Sequence, residues 1–217
     1  MTGSQGAGRL FAGLIAVTAW LAVSLRAWIV VGAVMAQGRT ALDGLVTVFS
    51  YFTLQANVIL AVVATACALR GETGGFLTRP STRAAVTVYI IIVGLIYAVF
   101  LAGLRQLTGL AVPVDIALHR VVPVLFTLYW LIFVPKGRLT WRNPLAWLTF
   151  PALYVVYSLI YGALTGRYLY PFSNVPVLGY PRALGYAALI LAAFYGLGLA
   201  LVALDRAIAG SAIRARQ

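Results

Sequence analysis

Thr53 and His119 are the two side chains whose types and order point most directly to chemistry. A threonine hydroxyl is inert as an alcohol, but a neighbouring imidazole can take its proton as the oxygen attacks an ester carbonyl. Asp115 lies four residues before this histidine, one helical turn away, where a carboxylate orients the imidazole and stabilises its protonated form. Asn57 follows Thr53 by four residues and Ser50 precedes it by three, so a continuous helix carries all three on one face while Gln55 points elsewhere. Asn57 is then the nearest donor by sequence for the oxyanion of a tetrahedral intermediate. The same residues fit a plainer reading: a threonine in a membrane helix usually bonds its own i−4 carbonyl, and a histidine near a helix start often only packs.

The elements that must position these groups are long apolar runs. Of 217 residues, 63% are hydrophobic and 9% charged, and the mean hydropathy is +0.98. A soluble domain carries roughly 25% charged residues, so a water-soluble fold is excluded. Runs long enough to span a bilayer lie at about Leu10–Met35, Gly44–Leu69, Ala84–Leu107, Pro113–Val134, Pro144–Leu164 and Ala183–Leu204. The expectation is an all-α polytopic membrane bundle of six helices, with residues 1–217 forming a single transmembrane domain. Val34-Met35-Ala36 resembles a cleavage site, but the first run exceeds a signal-peptide core of about 7–15 residues and reads as a retained span.

Orientation follows from the basic residues. Arg9, Arg70, Arg79, Arg83, Lys136, Arg138, Arg142, Arg206, Arg214 and Arg216 fall on one side, against Arg39, Arg105, Arg120, Arg167 and Arg182 on the other. The positive-inside rule therefore puts both termini in the cytoplasm. Span two then enters from outside, placing Thr53 at a depth of ~13 Å and His119, in span four, at ~9 Å by the helical rise. The net charge of +12 reflects topology and attraction to membrane lipids, and nucleic-acid binding is not expected because no soluble basic module exists. One Arg-rich, Lys-poor, Ala- and Gly-rich chain suggests a GC-rich bacterial gene and hence the inner (plasma) membrane.

Several chemistries are excluded by counting. A single Cys, Cys67, leaves no intrachain disulfide, and a single His leaves no bis-histidine haem or multi-histidine zinc site. No metal or cofactor is expected. The acidic residues Asp43, Glu72, Asp115 and Asp205 avoid the span centres, which argues against a proton-coupled transporter built on a buried carboxylate.

Two segments carry a family resemblance: Tyr51-Phe52-Thr53-Leu54-Gln55-Ala56-Asn57, and Asp115-Ile116-Ala117-Leu118-His119-Arg120-Val121-Val122-Pro123. They resemble the two motifs of the androgen-induced and androgen-dependent membrane protein family, multi-span threonine hydrolases that cleave fatty acid esters of hydroxy fatty acids and have six-span bacterial relatives. The resemblance implies Thr53 as nucleophile, from the aromatic-x-Thr context, and His119 as base, from a His followed four residues later by Pro. It covers the six-span layout and these two short motifs. The chain departs from the animal members in its short termini, and the resemblance gives no role to Asp115 or Asn57.

Other polar residues admit two readings each. Arg26, inside span one, either binds a substrate carboxylate or bonds backbone carbonyls and Gln55 or Asn57, with no carboxylate obvious at its depth. Tyr154, Tyr157 and Tyr161 form a helical stripe that either anchors or packs span five or lines the site. Arg105 and Arg120 sit at outer ends, where an arginine snorkels or contacts substrate. The segment Leu169–Arg182, with Pro171, Pro176 and Pro181, reads as a rigid outer loop able to cover a lipid-access cavity. The combined expectation is a lipid ester hydrolase. The alternatives are a non-enzymatic transporter or lipid-binding protein, and a partner subunit packing through Ala188, Ala192, Gly196 and Ala200. Reporter fusions test the orientation: those after Arg70 should read cytoplasmic and those after Arg39, Leu110 or Pro176 exported, and an exported C-terminus would overturn it.

Overall fold

The computed structural model describes residues 2–73, 75–103 and 106–214; Arg105 and Arg216 lie outside them. Helix makes up 85% of the chain, no strand occurs among the described residues, and six helices are long and apolar enough to cross a membrane. These are Gln5–Met35, Phe52–Arg70, Pro80–Leu101, Ala111–Phe133, Asn143–Thr165 and Val175–Ser211, one for each expected run. Leu10, Trp28, Leu69, Val99, Ile132 and Leu164 all remain exposed, a surface suited to lipid rather than to water.

The chain divides into two compact units, Met1–Pro135 and Lys136–Gln217. The first contains α1 (Thr2–Met35), α2 (Ala41–Phe49), α3 (Phe52–Arg70), α4 (Pro80–Ile96), α5 (Ala111–Ile116) and α6 (Val122–Phe133). Ala12, Ala16, Ala19 and Ala22 recur at helical spacing on α1 and are buried, and such small side chains let a neighbouring helix approach closely. Against α3, Arg9 donates from Nε to the Ala68 carbonyl at 2.9 Å and from Nη2 to the Leu69 carbonyl at 2.7 Å. It thereby satisfies carbonyls that the end of a helix leaves open. Between α1 and α2, a Cβ on Gly44 would fall 2.7 Å from the Val31 Cα, so glycine is required for that approach.

The second apolar run, expected as one helix from Gly44 to Leu69, is broken at Ser50–Tyr51. α2 opens with a reciprocal cap: Asp43 N–H donates to Thr40 Oγ1 at 3.1 Å and Thr40 N–H to Asp43 Oδ2 at 3.1 Å. The Thr40 N–H, with the Thr40 hydroxyl, holds the Asp43 carboxyl below its ordinary value. At the other end, Tyr51 turns to an extended ψ of 134°. The Ser50 hydroxyl donates to the Val46 carbonyl at 2.6 Å and the Gln55 amide to the Phe49 carbonyl at 2.9 Å. The Gln55 side chain thus satisfies the Phe49 carbonyl at the break, and the helix starts afresh at Phe52. Thr53 consequently sits in a first turn, and the stripe expected from Ser50 through Asn57 is not one continuous helical face.

Two spans contain π-helical turns, Tyr97–Leu101 at the end of α4 and Ala117–Val121 between α5 and α6. In the second, Val122 N–H reaches back five residues to the Ala117 carbonyl. The cause follows one residue later, where Pro123 has no N–H to offer the His119 carbonyl, so the ladder slips around the histidine. Arg83, read from sequence as a loop charge, is buried in the first turn of α4 and donates to the Tyr129 hydroxyl at 3.4 Å.

The second unit contains α7 (Asn143–Trp147), α8 (Thr149–Thr165) and α9 (Val175–Arg214). The expected loop from Leu169 to Arg182 is largely helical: a 3-10 turn spans Pro171–Ser173 and α9 begins at Val175. Within α9 the helix kinks at Gly179, with φ 72° and ψ 157°, a conformation glycine tolerates. Near the other end of α9, buried Asp205 accepts from the N–H groups of Gly137 at 2.9 Å and Leu139 at 3.1 Å, pinning the basic turn. Asp205→Ala strands both donors and should lower the unfolding free energy in detergent by about 2–3 kcal/mol. Asp205→Asn keeps an acceptor oxygen and should lose less; equal losses would contradict this pinning role.

Candidate functional site

Arg26, Thr53, Asn57, Tyr97, Asp115 and His119 lie toward the end of the first unit where α1 and α4 finish and α3 and α5 begin. His119 Nδ1 is 3.0 Å from the Asp115 carbonyl and 3.2 Å from Asp115 Oδ1. A carbonyl and a carboxylate only accept, so Nδ1 carries the proton and the lone pair of the neutral ring is at Nε2. Among the described residues, Nε2 has no hydrogen-bond partner. The other carboxylate oxygen, Asp115 Oδ2, accepts from the Tyr97 hydroxyl. The Tyr97 and His119 rings stack with centroids 4.0 Å apart and planes 19° from parallel. Ala22, Val23, Val48, Leu54, Val114 and Leu118 pack as a buried apolar cluster from the same helices.

Thr53 differs from six other helical threonines. Thr18, Thr47, Thr65, Thr87, Thr127 and Thr165 each donate to the carbonyl four residues back, the behaviour expected of an idle hydroxyl. For Thr53 that carbonyl belongs to Phe49, across the break, and it accepts from Gln55 instead. Thr53 is 8% exposed, and neither its hydroxyl nor its backbone N–H bonds to any described residue. No hydrogen bond joins it to His119; the two regions are joined through Asn57. The Asn57 amide nitrogen donates to the Thr53 carbonyl at 2.8 Å and to the Leu118 carbonyl at 3.4 Å. Both amide hydrogens are thereby directed to backbone carbonyls rather than to the oxyanion position expected from sequence. What it leaves over is Oδ1, fully buried and without a partner.

Arg26 is half-buried on α1 and makes no ion pair or hydrogen bond with a described residue. Gln55 and Asn57, considered as its partners, donate to backbone carbonyls instead. Arg120 is exposed beside the histidine. Tyr157 belongs to the second unit, where its ring lies 6.0 Å from those of both Tyr154 and Tyr161. Sequence reasoning missed Tyr97; three residues earlier, a Cβ on Gly94 would come 3.2 Å from the His119 carbonyl. That close approach brings α4 against the histidine. Among the described residues no cluster of His, Cys, Asp and Glu could hold a metal ion.

No protein-family model, curated protein or solved structure matches this chain.

Because the chain has one histidine, nitrogen NMR of protein labelled only at histidine reads this site alone. At a pH where the ring is neutral, the spectrum should show Nδ1 protonated and Nε2 bare; the opposite tautomer would contradict the assigned hydrogen bonds.

Proposed function

We propose that this chain is a membrane-embedded carboxylic ester hydrolase in which Thr53 is the nucleophile and His119 the general base, then acid. One observation supports the reading: Thr53, whose hydroxyl lacks the usual helical bond, lies on the helix that Asn57 ties to the carrier of a Nδ1-protonated imidazole. Apo sites often close the nucleophile–base hydrogen bond only with substrate present.

The chemistry then runs as acyl transfer. Thr53 Oγ1 attacks the ester carbonyl carbon as its proton passes to His119 Nε2, and Asp115 stabilises the imidazolium through Nδ1. Negative charge gathers on the carbonyl oxygen. With the Asn57 amide engaged, the Thr53 N–H in the first turn of α3 is the donor at hand, at the positive end of a helix dipole. Collapse breaks the C–O bond, and Nε2 returns the proton to the departing alcohol. Water, deprotonated by the same nitrogen, cleaves the acyl-threonine and frees the acid.

Arg26 supports a substrate with a free carboxylate, such as a fatty acid ester of a hydroxy fatty acid, the class implied by the family resemblance. A guanidinium without a protein ion pair binds both oxygens of a carboxylate, which Lys cannot do. The basic-residue bias further supports a bacterial inner-membrane location with the site in the outer half.

In purified, folded protein, Thr53→Ala and His119→Ala should each abolish ester hydrolysis, while Thr53→Ser retains part of it. Near-full turnover in either alanine variant would overturn the assignment and favour a binding or transport role. Arg26→Gln should raise KM for an ester with a free carboxylate and leave its methyl ester little changed, the signature of binding common to ground and transition states. Equal losses on both substrates would remove Arg26 from carboxylate recognition.

A further inference from the structure

We propose that Tyr97 is a positioning residue that locks the His119 imidazole in its base-competent tautomer and orientation. This deepens the hydrolase reading, although the locking itself is a statement about the ring. Three contacts converge on it. The Tyr97 ring lies over the imidazole at 4.0 Å and 19°, covering one face. Its hydroxyl donates to Asp115 Oδ2 while His119 Nδ1 faces Oδ1, so one carboxylate ties the two stacked rings together at their edges. Gly94, three residues before Tyr97, admits the His119 backbone to α4 at a distance a side chain would obstruct.

An imidazole has one easy failure. Half a rotation about its bond to Cβ exchanges Nδ1 for a carbon and moves Nε2 from the position it holds. The stack opposes that rotation sterically, and the tie through Asp115 opposes it by hydrogen bonding. With both oxygens engaged, the carboxylate cannot swing away from Nδ1 without breaking the tyrosine bond. The π turns at Tyr97–Leu101 and Ala117–Val121 underlie this register, since each shifts its helix where one of the rings is attached. The Tyr97 hydroxyl bonds Asp115 rather than Nε2, so its effect is exerted through the histidine.

Two variants separate the contacts. Tyr97→Phe keeps the stack and removes the tie; Tyr97→Leu removes both. Each is read by nitrogen NMR of the single histidine and by ester hydrolysis with kcat and KM resolved. Tyr97→Phe should lower kcat about tenfold, the rate equivalent of one hydrogen bond, with KM nearly unchanged. Tyr97→Leu should lower it about a hundredfold, the scale of a misplaced catalytic group, with phenylalanine recovering part of that loss. The NMR should show a single Nδ1-protonated form in the wild type and a mixture of tautomers in the leucine variant. A leucine variant that keeps one Nδ1-protonated form and wild-type kcat would overturn the proposal. If the wild type cleaves no ester, the hydrolase reading fails, and the tautomer measurement still decides whether Tyr97 locks the ring.

Discussion

The buried Asn57 amide nitrogen holds two backbone carbonyls from different segments, Thr53 on α3 and Leu118 in the π turn that carries His119. Inside a bilayer there is no water to replace either bond, so separating the segments would leave polar groups stranded in an apolar medium. The register between the first turn of α3 and the histidine therefore depends on this tie. Around it, Ala22, Leu54, Val114 and Leu118 pack without polar competition. The same bonding leaves Asn57 Oδ1 as a buried acceptor, suited to a hydroxyl or ordered water.

A second constraint is how sparingly this first unit leaves polar groups unsatisfied. Arg9 closes the end of α3, Gln55 and Ser50 close the end of α2, and helical threonines turn back on their own carbonyls. Against that background Thr53 and Arg26 stand apart, and both lie toward the same end of the unit. Proline and the broken helix release backbone groups rather than merely bending the chain. Pro123 frees the ladder at His119, and the break at Ser50–Tyr51 puts Thr53 where its N–H and hydroxyl are both available.

The six spans were legible because length and apolarity are the physical requirements for crossing a bilayer, and both are written in composition. Asp115 and His119 were legible as a pair because one helical turn separates them, and a π turn at the histidine still leaves Nδ1 on the carboxylate. The break in the second run was not, since Ser50 and Tyr51 are neither glycine nor proline and the apolar run continues across them. What accompanies it is a local side-chain bond that no turn signal announces: the Gln55 amide takes the Phe49 carbonyl six residues back. Tyr97 was hidden for another reason. A tyrosine near the end of a span is ordinary interface chemistry, and only the packing of α4 on the histidine segment distinguishes it. Arg83 was misplaced because a basic residue flanking an apolar run reads as loop charge, whereas α4 begins early enough, at Pro80, to bury it.

The central claim, that Thr53 is a nucleophile activated by His119, is tested most directly by mapping covalent capture. A long-chain fluorophosphonate incubated with the purified protein should leave one phosphonyl adduct, located by peptide mass spectrometry on Thr53 and absent from His119→Ala. An adduct on a different residue, or none while ester hydrolysis proceeds, would contradict the account.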